Sequence, residues 1–321
     1  MTRLTAKAGL LAAVLAILSG CEAPAPRGPV PVPPARPDAP SAGLAAPQVP
    51  TRSQESYELE RYYRRVQQDF LARGLLRTET DSPDTPFAAH NLVTNFVRIA
   101  LYDEYVSRAG QLVAEQTESQ LSRWERPVRI KLVFGATIPE DQRARDRLAL
   151  EAYVRQLSRA TGHPITMTQG SNANFHVLML HENERRQYGP WLRQLVPSIE
   201  RSTINAIENM PRETFCLAFA LSSTDNPAYH RAVAVIRGEH PDLLRLSCLH
   251  EEVAQGLGLP NDSPLARPSI FNDDEEFALL TRHDELLLRI LYDRRLRVGM
   301  TADTARPIVK VIASELMGGE S

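Results

Sequence analysis

Ten of the chain's 24 prolines fall within residues 22–50, and Pro31-Val32-Pro33-Pro34 stands near the middle of that stretch. Proline fixes φ and has no amide hydrogen to donate, so such a segment builds neither a helix interior nor a central strand. It reads as an extended, semi-rigid tether, with a proline-rich ligand for a partner domain as the other use of such a run. The fold must therefore come from the rest of the chain, roughly 270 residues, room for one large domain or two smaller ones. Apolar residues make up 43% of the chain and charged residues 24%, which supports a core and excludes full disorder. With 37 Lys+Arg against 39 Asp+Glu, the net charge of −2 excludes nucleic-acid binding through bulk charge. Three cysteines are too few for a disulfide framework, so stability rests on apolar packing.

The first twenty residues carry Arg3 and Lys7, an apolar run from Ala8 to Leu18, and then Ser19-Gly20-Cys21. A basic start, a short apolar stretch and small residues before a cut site predict a secretion signal over 1–20. The run is too short to span a bilayer as a stable helix. Leu18-Ser19-Gly20-Cys21 resembles the lipobox of bacterial lipoproteins. That resemblance implies diacylation of Cys21 through its sulfur, acylation of the new N-terminus, and anchoring by palmitate-like chains facing the periplasm. Glu22 stands where an Asp would direct inner-membrane retention, so the outer membrane is expected. Loss of Arg3 and Lys7 with the signal leaves a mature charge of −4.

Beyond the tether (21–50), residues 54–73 and 86–123 read as helices, the second on Leu92, Phe96, Ile99 and Val106, giving a helical region over 51–126. At Pro127 the texture changes. Val128 to Phe134 alternates as a half-buried strand, and a helix follows over 139–161, stopped by Gly162. Short strands are expected at 164–168, 174–180, 214–221 and 231–237, with a polar helical stretch over 183–208. Helices then run to the end. Strands and helices in blocks predict an α+β class, a mixed sheet with packed helices over 127–321.

The helix from Pro241 to about Leu257 holds the most informative residues. Leu244, Cys248, Glu251 and Gln255 share one face with Glu252 beside it, and Leu246, Leu249, Val253 and Leu257 form the apolar flank, with His250 among them. A left-handed stop at Gly258 lets Asn261 return towards Gln255. Glu251-Glu252-x-x-Gln255-x-x-Gly258-x-x-Asn261 resembles the H-E-x-x-H-x-x-G-x-x-H frame of metzincin zinc metallopeptidases. The general-base Glu and the glycine correspond to Glu252 and Gly258. The three ligand histidines are replaced by Glu251, Gln255 and Asn261. Pro268-Ser269-Ile270-Phe271-Asn272 resembles the turn beneath the metal, with Phe271 in place of its methionine. Leu280-Thr281-x-x-Asp284 with Leu287, Ile290, Leu291 and Tyr292 resembles the closing helix. The likeness covers residues 127–295 and implies a zincin-like fold with a degenerate cleft that includes Asp262. The Glu-Glu-x-x-Gln and Pro-Ser-Ile-Phe-Asn-Asp segments are also similar to a family of bacterial envelope proteins carrying a domain of unknown function.

Starting the frame at His250 instead puts Ala254 in the second ligand position and displaces the glycine, so His250 is expected to pack and hydrogen-bond. Nothing in the spacing places His176, His230, His240 or His283 at the cleft. Zinc prefers imidazole, thiolate or carboxylate ligands, and two neutral amides are weak donors for it, so no cofactor is expected. The expected function is a membrane-anchored, catalytically degenerate binding or scaffolding module for a peptide or envelope protein. The alternative is a peptidase-like hydrolase in which Glu252 acts with an atypical metal, zinc included, or with none. Cys216 and Cys248 either bridge in an oxidising compartment or stay as two buried thiols.

Overall fold

The chain caps its first folded helix with a serine. Ser53 accepts from the Ser56 amide at 3.2 Å and opens α1 (Gln54–Ala72). The computed structural model describes residues 51–108, 111–223, 225–272 and 274–319, so the expected signal, the expected tether and Cys21 lie outside the described residues. Residues from Val49 onward form one compact unit. Leu92, Phe96 and Ile99 are fully buried on α2 (Ala89–Ala100), as their spacing predicts. The helix read over 86–123 nevertheless ends at Ala100. The antiparallel strands β1 (Tyr102–Arg108) and β2 (Gln111–Glu118) follow, so Val106 belongs to a strand. The run Tyr102, Tyr105, Val106 and Val113, interrupted in sequence by Gly110, is strand chemistry, and it prevails over the helical spacing.

The main sheet begins with β3 (Val128–Phe134), continues through α3 (Glu140–Thr161), β4 (Ile165–Met167) and β5 (Phe175–Leu180), and ends with β6 (Cys216–Ser223) and β7 (Asn226–Arg237). Between β5 and β6, the stretch read as helical is three short pieces, α4 (Glu182–Arg185), α5 (Gly189–Leu195) and α6 (Arg201–Glu208). Pro190 and Pro197 account for the breaks. The strand order is β4-β3-β5-β7-β6, with β4, β3, β5 and β7 parallel and β6 antiparallel to β7 at the edge. Then come α7 (Asp242–Gln255), α8 (Arg282–Leu291) and α9 (Ala302–Leu316). The architecture is mixed α/β, a five-stranded mixed sheet with nine helices among the described residues. The helices are not segregated to one side.

Alternation along β5 explains the layers. Phe175, Val177 and Met179 join a core with α2, α3, α7, α8 and α9, whereas Leu178 and Leu180 face α5 and α6. Every residue of β5 is buried, as befits a central parallel strand covered on both faces. The expected mixed sheet with packed helices is thus present, although mostly parallel. No helix among the described residues is long and apolar enough to cross a membrane.

Candidate functional site

α7 sits where three constraints meet. The Trp124 indole donates to the Gly256 carbonyl at 2.8 Å and fixes the helix end. Gly258 follows at φ 127°, and a Cβ there would lie 2.4 Å from the Ser122 carbonyl oxygen, so only glycine fits this reversal. Cys248 on α7 is disulfide-bonded to Cys216 on β6, with Cα atoms 5.9 Å apart. The bridged alternative is therefore the one the fold adopts, and it joins the edge strand to the helix packed against it.

A cleft of about 650 Å³ opens between α6, the start of β6, α7 and the segment 260–275. Glu251, Glu252 and Gln255 line it from α7, and Asp262, Ile270 and Glu275 from the following segment. Glu252 is buried at 3% exposure, while Glu251, Gln255 and Asp262 are half-buried. Glu251, Glu252, Gln255 and Asp262 thus line one cleft.

Three other expected cleft residues lie outside it. Asn261 does not return to Gln255; its side-chain amide donates to the Arg98 carbonyl at 2.8 Å and its backbone amide to that of Ile99 at 3.2 Å. The reason is local: the last turn of α2 leaves carbonyls without intrahelical partners, and Asn261 satisfies them. Gly258 is the buried turn rather than part of the lining. Phe271 is fully buried in the main core, and its neighbours Ile270 and Asn272 reach the cleft instead.

Asp284 joins the two downstream segments singled out in the sequence. Its carboxylate accepts from the Ser269 hydroxyl at 2.5 Å, the Ile270 amide at 3.1 Å and the Thr281 amide at 2.9 Å. The Pro268–Asn272 turn is thereby clamped to the start of α8. Glu275, at the left-handed φ of 59°, is held by the Leu76 amide on its carbonyl at 2.9 Å.

The far wall is α6 with residues 209–219; the sequence predicts a helical stretch and a strand here but not that they face the cleft, because strand order alone makes β6 an edge. Buried arginines fix this wall. Arg237 donates to the carbonyls of Met210 and Pro211 at 2.8 Å and of Thr214 at 3.1 Å, and Arg185 donates to that of Ile207. Glu182 pairs with both, at 2.6 Å to Arg237 and 2.5 Å to Arg185. Burial alone would raise its pKa, but the guanidiniums of Arg185, Arg186 and Arg237 hold the carboxyl below its ordinary range. An arginine closing a strand, as Arg237 does, was the available signal.

No histidine lines the described cleft. His250 stacks on Tyr153 at 3.9 Å and accepts from the Leu280 amide at 3.0 Å, the packing role expected of it, and burial pushes its imidazole down to about 3. His240 is buried against Tyr63 and Phe215, and His176 against Trp191. Among the described residues, no group of three or more His, Cys, Asp or Glu side chains is placed to hold a metal ion.

Fold and site together define a mixed α/β protein with a ligand-sized cleft beside the edge strand of its sheet. The chain belongs to the family described as a protein of unknown function (DUF2927), whose model matches residues 89–311, more than half of the chain. The match spans both cleft walls and begins at α2, leaving α1 outside. No curated protein matches the chain.

Proposed function

We propose that this protein is a lipid-anchored periplasmic binding or scaffolding module, held through Cys21, whose cleft takes an extended peptide segment along β6. One observation carries the reading: among the described residues β6 is hydrogen-bonded in the sheet only to β7, and Cys216 to Phe219 at its start line the cleft. A strand edge with backbone donors and acceptors facing a cavity is the arrangement that β-strand addition uses. The mixed sheet with an antiparallel edge strand, α7 with Glu252, and the turn clamped by Asp284 support a zincin-like fold of the metzincin type. The zinc ion that this likeness implies does not fit the residues present. Glu251 is one carboxylate, Gln255 is a neutral amide, and the Asn261 amide is committed to Arg98. No reaction step is therefore assigned to a metal. The hydrolase alternative rests on Glu252 alone, buried at the cleft.

The test is binding of an immobilised hexapeptide library to the full chain, repeated with backbone N-methylated copies of the peptides retained. Retention that N-methylation abolishes is the expected result, because it removes the amides that pair with β6. Retention indifferent to N-methylation excludes strand addition. Zinc-dependent peptide hydrolysis lost in Glu252→Gln would move the protein to the enzyme class.

A further inference from the structure

Whether an extended segment along β6 is selected by sequence depends on what its side chains meet. Side chains of a strand alternate between the two faces of its sheet, so a segment added at β6 continues the alternation of β6 itself. Cys216 and Ala218 pack towards the core that holds α7, whereas Phe219 and Leu221 pack towards the layer of α6. An added segment therefore sends every second side chain to the α7 side and the intervening ones to the α6 side.

The two sides differ in chemistry. On the α7 side the described lining carries Glu251, Glu252, Asp262 and Glu275, with Gln255 and Asn272 the neutral polar groups among them. On the α6 side it presents the uncharged Ser202, Asn205, Ala206 and Asn209, and the one carboxylate of that wall among the described residues, Glu213, is paired with Arg212 at 2.8 Å. No Lys or Arg is among the described residues that line the cleft. These carboxylates have contacts of their own within the fold, and what matters here is the sign of the groups that a ligand side chain meets. The cleft also has the breadth for side chains on both sides, at about 650 Å³.

We infer that the cleft selects an extended segment with Lys or Arg at alternate positions, i and i+2, and small or polar uncharged residues between them. The inference rests on the strand-addition reading and deepens it: backbone pairing with β6 supplies the anchoring, and the α7 carboxylates supply the choice of partner.

The same library, randomised at each position and presented to the full chain, separates the two claims. The expected outcome is enrichment of Lys and Arg over Asp and Glu by about tenfold at two positions two apart, and not at the position between. Raising salt from about 0.02 to 0.5 M should shrink that enrichment, a readout that needs no variant. In the double variant Glu251→Gln, Asp262→Asn the enrichment should fall to about twofold or less while N-methyl-sensitive retention persists. Glu275→Gln serves as a second variant should the double one fold poorly. Retention without cationic enrichment overturns this inference and leaves strand addition standing. Enrichment at adjacent positions overturns the alternate-face geometry. No N-methyl-sensitive retention of any peptide overturns both.

Discussion

His250, Asn261 and Asp284 each carry a polar side chain into the interior, and each has a different consequence. His250 is neutral in the fold because burial depresses its pKa from 6.5 to about 3. A depressed pKa means that stability is fully present above 6.5, where the unfolded chain is also neutral, and is lost as pH falls towards 3. Unfolding free energies from urea titrations at about pH 7.5 and pH 5 should differ by about 2 kcal/mol less in His250→Gln than in the wild type, the share of one such group. An unchanged difference would place the acid sensitivity elsewhere. Asn261→Ala leaves the Arg98 carbonyl without its buried donor and should cost about 1–3 kcal/mol in the same measurement. Gln255→Ala, at the half-buried cleft surface, should cost less than Asn261→Ala. Asp284 accepts from Ser269, from Ile270 and from both the amide and the hydroxyl of Thr281, so Asp284→Ala should be the most destabilising of these substitutions.

At the level of elements, the disulfide links β6 to α7 across a sequence separation of 32. Thiol titration of the denatured, unreduced chain should find neither Cys216 nor Cys248 free, and replacing both with serine should lower stability by about 3–4 kcal/mol by the loop-closure argument. The period-2 pattern of β3 and the period-3.6 patterns of α3 and α7 are readable from sequence because each buries one definite face, and β5, buried on both faces, is readable as a short apolar run. The hairpin β1–β2 was not readable: Leu92, Phe96 and Ile99 set a helical rhythm that Val106 continues by coincidence. Within the site, the α7 side was legible because Glu251, Glu252 and Gln255 lie within one and a half helical turns. Asn261 was misplaced because sequence spacing cannot reveal the ends of a distant helix that compete for its amide. That α6 and β6 face the cleft was invisible for a related reason. An edge is a property of strand order, and strand order is set by contacts between residues far apart in the chain.

For the whole molecule, α1 is the informative part, since it precedes the family match yet belongs to the same compact unit. Ser56 donates to Glu239 at 2.5 Å, and Tyr63, fully buried, donates to the Arg212 carbonyl at 2.8 Å beside the cleft wall. Tyr63→Ala should therefore cost about 3–5 kcal/mol, as truncation of a buried aromatic does, and the full chain should unfold in one transition. A separate early melting of α1 in circular dichroism would contradict this. Upstream of α1, labelled palmitate should enter the wild-type protein in cells and not Cys21→Ala. Labelling of that variant at the wild-type level would refute lipid anchoring. The covalent bond between β6 and α7, with the guanidinium grip on residues 207–214, has a kinetic consequence. A cleft held on both sides has little closing motion to wait for, so capture of a ligand should follow a single exponential. Its rate should rise linearly with concentration at about 10⁵–10⁷ M⁻¹s⁻¹, and ligands should differ chiefly in how long they remain.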